Sequence, residues 1–183
     1  SQITEVPEYA FAGCVSLKDI NLAAVTSVGD NAFIEDASLN VVDLSAAESV
    51  GEYAFVYCKK LTQVTLGDAI KNIGEGAFSY CEKLASVNGM GHCDELDDYA
   101  FAYTAVTDVD LTGAVKIGNF VFMKEKTTPV KVTLGTELKS VGDNPFTMCD
   151  IEPFCLEETV DFNGKANINK VYTYDISDSV RVI

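Results

Sequence analysis

The stretch Val50-Gly51-Glu52-Tyr53-Ala54-Phe55-Val56-Tyr57-Cys58-Lys59-Lys60-Leu61-Thr62-Gln63-Val64-Thr65-Leu66 decides the fold of this 183-residue chain. It ends in alternation, Val64 and Leu66 flanking Thr65, which reads as a short strand with one buried face. Its middle, Ala54-Phe55, recurs along the chain as Ala10-Phe11, Ala32-Phe33, Ala77-Phe78 and Ala100-Phe101, then as Val121-Phe122 and Pro145-Phe146. The Phe spacings are 22, 22, 23, 23, 21 and 24 residues. A period of this length marks a repeat architecture.

Other positions keep register with the Phe. Four residues before it stands Gly29, Gly51, Gly74, Gly118 or Gly142, each preceded by Val or Ile. Three after it stands Cys14, Cys58, Cys81 or Cys149, and six after it Leu17, Leu39, Leu61 or Leu84. The alternating segments end in Ile20-x-Leu22, Val42-x-Leu44, Val64-x-Leu66, Val109-x-Leu111 and Val132-x-Leu134, whereas the fourth repeat has Gly89 where Leu is expected. About 22 residues cannot bury Leu, Ile and Phe alone, so rungs must stack and share a core. The spacing predicts about seven rungs over residues 1–149, a parallel β-sheet on one face and short helical or 3₁₀ turns and loops opposite. The Val/Ile-Gly step is expected to turn, because Gly reaches φ > 0 without penalty. The crossover is expected to be right-handed. Residues 150–183 lose the marker and are expected to form a degenerate repeat that caps the last rung; the alternative is the start of a following domain.

The segment Ile73-Gly74-Glu75-Gly76-Ala77-Phe78-Ser79-Tyr80-Cys81-Glu82-Lys83-Leu84 resembles the BspA-like leucine-rich repeats: an Ile-Gly step, an Ala-Phe pair, a Cys, then Leu-x-x-Ile-x-Leu. The resemblance runs over residues 3–150. It departs at Asp36, Thr104 and Glu125, which replace the Cys, and those rungs are expected to be looser or more solvated. The resemblance implies a leucine-rich repeat solenoid on the surface of an anaerobic bacterium or a mucosal protozoan, extracellular, in some members an adhesin. Its partner would be a protein or a glycan.

Composition sets limits. There are 28 acidic residues against 13 basic ones, a net charge of −15. This argues against nucleic acid, whose phosphates need a basic footprint, and against an anionic membrane surface. No run of about 18 apolar residues spans a bilayer. No signal peptide is present, and the chain opens at Ser1, so any leader has been removed or trimmed. The 48% apolar content suffices for a packed core, expected here as a monomer.

Chemistry is thinly represented. Of the six Cys, the four at the repeat position, Cys14, Cys58, Cys81 and Cys149, share one inward position and read as buried thiols. Cys58 and Cys81 on adjacent rungs have near-parallel Cβ vectors, which is poor disulfide geometry. For Cys149 and Cys155 a disulfide and two free thiols both stay open. His92-Cys93 lacks the paired ligands of a zinc site, and residues 94–98 read as a solvated acidic loop rather than a calcium loop. With His92 the only imidazole and no Gly-x-Ser-x-Gly elbow or phosphate loop, no enzyme, cofactor or metal is expected.

Binding faces remain. The outward strand positions are Asp19 and Asn21, Val41 and Asp43, Gln63 and Thr65, Ser86 and Asn88, Asp108 and Asp110, then Lys131 and Thr133. They form a small, polar, acidic candidate binding face without an aromatic anchor. A second candidate is the ladder Tyr57, Tyr80 and Tyr103, which either stiffens neighbouring rungs or forms an interaction stripe. Three functions are compatible: a surface interaction module, a spacer displaying another domain, or an enzyme built on His92.

Overall fold

The computed structural model describes residues 3–126 and 128–151, with side chains to Cys149. The expected cap, and Cys155 with it, lies outside these residues. The chain winds as a parallel solenoid, each turn being one repeat. The core is a column of Phe rings, Phe11, Phe33, Phe55, Phe78, Phe101, Phe122 and Phe146. They stack nearly parallel with centroids 4.9–5.6 Å apart. The rise from rung to rung fixes this spacing, since hydrogen-bonded strands lie about 4.8 Å apart.

The longest sheet is not where the alternation lies. Seven strands of two residues each, Glu5–Val6, Ser27–Val28, Ser49–Val50, Asn72–Ile73, Glu95–Leu96, Lys116–Ile117 and Ser140–Val141, pair in parallel along the whole array. They sit at the step expected to turn. The glycines that follow do not serve a positive φ: among the described residues only Gly13, Gly76 and Gly89 adopt one. They serve close approach. A Cβ at Gly51 would lie 2.7 Å from the backbone of Gly29 and Asp30, and one at Gly74 would lie 2.8 Å from Gly51. Residues 94–98, expected as an acidic loop, contain the strand Glu95–Leu96, because Leu96 buries into the core beside Ile73.

The alternating segments form two shorter sheets. Val41–Leu44, Gln63–Leu66 and Ser86–Asn88 make one; Asp108–Leu111, Thr128–Leu134 and Cys149–Ile151 make the other. Residues 20–22 form no strand, so Asp19 and Asn21 are exposed outside the sheet. Inward side chains such as Val42, Leu44, Val64, Val109 and Leu111 are fully buried.

The Ala-Phe segments form stacked turns without helix; the single 3₁₀ turn among the described residues is Met90–His92. The N–H groups of Tyr53, Phe55 and Tyr57 donate to Glu75, Ala77 and Ser79 of the next rung. Those of Val56 and Cys58 donate three residues back within the rung, each at 3.1 Å. Helix cannot propagate here. The residues two before and two after each Phe repeatedly take left-handed backbone: Tyr53 and Tyr57, Gly76 and Tyr80, Tyr99 and Tyr103. A continuous helix needs every residue right-handed.

The replacements of the repeat Cys are buried rather than solvated. Cys58, Cys81 and Cys149 each donate Sγ–H to the Phe carbonyl of the preceding rung, at 3.1–3.2 Å. Asp36 is fully buried in the same column, and neither carboxylate oxygen finds a hydrogen-bond donor. Thr104 is buried and donates to its own rung's Phe101 carbonyl at 2.8 Å. Glu125 is exposed because Lys124, one residue earlier, turns inward instead. Cys14 departs the other way and is exposed.

Candidate functional site

Between the fourth and fifth rungs the strand face is interrupted. No ladder joins Ser86–Asn88 to Asp108–Leu111, although Leu96 and Ile73 keep the same two rungs paired in the long sheet. The cause is local. Gly89 takes the place of the repeat Leu with φ 81°, and a Cβ there would lie 2.2 Å from the Leu66 carbonyl oxygen. The chain then makes its 3₁₀ turn, and Met90 enters the core one residue late. The two strands make no ladder here, and an open cleft of about 500 Å³ lies beside them.

The cleft collects residues that the alternation places on the binding face. Ser86, Asn88, Asp108 and Asp110 line it, joined by Lys131 and Thr133. Lys131 Nζ lies 3.5 Å from Asp108 Oδ2, an exposed pair of small energetic weight. Asp43, Gln63 and Thr65 lie on the unbroken sheet beside it. Asp19 and Asn21 lie away from both sheets.

Three of the outward residues also hold turns. Asn21, Asp43 and Asp110 accept the backbone N–H two residues on, from Ala23, Ser45 and Thr112, at 3.0–3.1 Å. Asp110 further accepts the Thr112 hydroxyl at 2.8 Å. This Asx-type bond ends the strand at a set place, so these side chains are partly committed before any ligand arrives.

The Tyr ladder stacks as aligned rings: Tyr57 on Tyr80 at 4.7 Å and Tyr80 on Tyr103 at 4.4 Å. Tyr57 is exposed at the end of the stack, and the other two are half-buried. Lys59 Nζ stands 6.0 Å from the Tyr57 ring centre.

His92 lies on the 3₁₀ turn, half-exposed, with Nε2 3.2 Å from the exposed Asp68 carboxylate. Cys93 is buried, its Sγ directed at the Glu95 carbonyl, and burial pushes its thiol up to about 12. Among the described residues no group of His, Cys, Asp and Glu is arranged to hold a metal. No helix among them is long and apolar enough to cross a membrane.

Sequence reading missed Lys124. Its ammonium is buried and donates to the carbonyls of Thr104 and Val106, both at 2.8 Å. Burial draws its pKa down to about 8. No pattern flags it, because it occupies a position where the three preceding rungs carry Tyr and the following one Met148.

This arrangement of stacked rungs, Phe column and glycine step defines a leucine-rich repeat solenoid. The profile of the BspA-type leucine-rich repeat region matches residues 1–107 and 94–183 with six copies, and the chain belongs to that family. No curated protein matches. Among solved structures, a leucine-rich cell surface protein from Faecalibacterium prausnitzii A2-165 aligns at 20% identity and TM-score 0.47, over 81% of this chain and 42% of that one. The pneumococcal vaccine antigen PcpA aligns at 14% identity and TM-score 0.46, over 73% and 49%. A leucine-rich repeat protein from Bacteroides ovatus ATCC 8483 aligns at 17% identity and TM-score 0.41, over 81% and 58%. The chain thus spans about half the length of these proteins.

Proposed function

We propose that this chain is a non-enzymatic interaction module, extracellular or displayed on a cell surface, which meets a protein or glycan ligand on its strand face at the cleft. The observation that carries this is the interruption itself. It gathers Asn88, Asp108, Asp110 and Lys131 around an open volume of about 500 Å³. Membership of the BspA-type family supports the surface setting, though a fold alone does not fix a function.

The test is a binding screen against extracellular matrix proteins, mucins and glycans, repeated with the double variant Asn88→Ala/Asp108→Asn. A ligand of the cleft binds the wild type and loses tenfold or more in affinity to the variant at unchanged melting temperature. A ligand held equally by both forms overturns the cleft as the site. A chain that binds none of them leaves the spacer role in its place.

A further inference from the structure

The Tyr ladder ends at Tyr103, and the place of its next ring is open. Two residues after the marker Phe the backbone is left-handed at Gly13, Glu35, Tyr57, Tyr80, Tyr103 and Met148, with φ of 59–69°. Lys124 holds this place on the sixth rung and is the exception. Its side chain leaves the outer column and is buried, the ammonium donating to the carbonyls of Thr104 and Val106. A space of about 340 Å³ lies there, walled by Tyr103, Thr104 and Lys124 and lined also by Glu82, Glu125, Lys126 and Thr128. It shares no lining residue with the cleft.

Tyr103 is set before anything binds. One face stacks on Tyr80 at 4.4 Å, and its hydroxyl donates to Met123 Sδ at 3.5 Å. The ladder runs along the solenoid axis, so the other face looks toward the sixth rung, where Lys124 supplies no ring. The surroundings of that face are polar. Glu125 and Lys126 are exposed, and among the described residues they enter no ion pair. The Thr128 hydroxyl donates to the Lys126 carbonyl at 3.0 Å and keeps its own lone pairs to accept. Glu82 stands 3.3 Å from Lys59, an exposed pair of small weight that a ligand can exchange.

We propose that the vacant place beyond Tyr103 binds one pyranose ring of a glycan, stacked where the next Tyr of the ladder would lie. The ligand must be apolar on one face and polar at its edge. A pyranose has that form: C–H groups lie on the face, and the hydroxyls around it both donate and accept. The C–H face takes the place on Tyr103, while the hydroxyls reach Glu125, Lys126 and Thr128. An aromatic side chain would cover Tyr103 as well, but it would offer these edge groups no partner. The space is at the lower end of ligand pockets, which suits a single ring. One ring of about a dozen heavy atoms binds on the order of millimolar.

The experiment is saturation-transfer NMR on the whole chain with the methyl pyranosides of glucose, galactose, mannose and N-acetylglucosamine. N-acetyltyrosine amide serves as the aromatic comparison. Lys124→Tyr puts a ring back into the column and closes the place. Glu125→Ala/Lys126→Ala changes exposed side chains only, and keeps the test readable should Lys124→Tyr not fold. The expected result is millimolar binding of at least one glycoside, with transfer strongest to the C–H groups of one ring face. Lys124→Tyr abolishes it, Glu125→Ala/Lys126→Ala weakens it at least fivefold, and the cleft variant Asn88→Ala/Asp108→Asn leaves it unchanged. The proposal is overturned if no glycoside binds, if the tyrosine amide binds in their stead, or if binding survives in both variants of the ladder's end. The cleft and this place fail separately, because their variants share no residue.

Discussion

Asp36 stands in the column where other rungs place a thiol, and it brings a carboxylate where only a single donor atom fits. Burial pushes its carboxyl up to about 6. The folded chain therefore keeps a proton between about pH 4 and 6 that the unfolded chain has released. By linkage, stability from this group is present below pH 4 and falls as pH rises through 6, by on the order of 3 kcal/mol. Asp36→Cys restores the column's own thiol. It is expected to raise stability at pH 7 by a few kcal/mol and to leave it unaltered near pH 4. Urea unfolding at pH 4, 5, 6 and 7 reads the difference between the two chains; equal curves at every pH would refute it. The sequence exposes Asp36 as a departure but gives no sign of its burial, because the repeat fixes where a side chain points and not what the neighbouring rung offers it. Lys124 shows the converse: a one-residue shift within a rung moves a charge inward without disturbing the count between Phe residues.

At the scale of elements, the alternation at Val42-x-Leu44 and Val64-x-Leu66 was sufficient to locate the short sheets. The long sheet was hidden. A two-residue strand such as Ser49–Val50 has no period to detect, and glycine after it suggests a turn as readily as a tight contact. The cleft was half legible: Gly89 marked an irregular fourth repeat, but the period gives no sign that strand pairing is lost there. The turns hold a further consequence. Tyr80 is left-handed, with φ 59°, and stacks on both neighbours. Tyr80→Ala loses two aromatic contacts of about 0.5–1.5 kcal/mol each and retains the backbone strain. Tyr80→Gly loses the contacts but relieves about 1 kcal/mol of that strain. Glycine should then be the more stable of the two, opposite to the order on an ordinary helix, and denaturant midpoints decide it. Unchanged stability with lost ligand binding would instead assign the ladder to recognition.

For the molecule as a whole, each rung touches only its neighbours, so position along the array sets the cost of a defect. Phe78 is fully buried between two rings, whereas Phe11 is half-buried with a ring on one side. Phe78→Ala should cost about 3–5 kcal/mol and Phe11→Ala markedly less, measured as the shift in unfolding free energy. A cost below about 1 kcal/mol at Phe78 would contradict a shared core. The net charge of −15 also acquires a distribution, with one cation among the first 58 residues.

The interrupted strand face bears on how such a coil carries load. Tension along the axis pulls every junction between rungs in series, and each junction holds by the ladders, turn hydrogen bonds and stacked rings that cross it. The one between Ser86–Asn88 and Asp108–Leu111 lacks the strand-side ladder that its neighbours have. Among the junctions from the second rung to the seventh it is the weakest, since every other one there has such a ladder. A chain stretched between its second and seventh rungs would part there first, into two blocks that each keep a three-stranded sheet and their share of the Phe column.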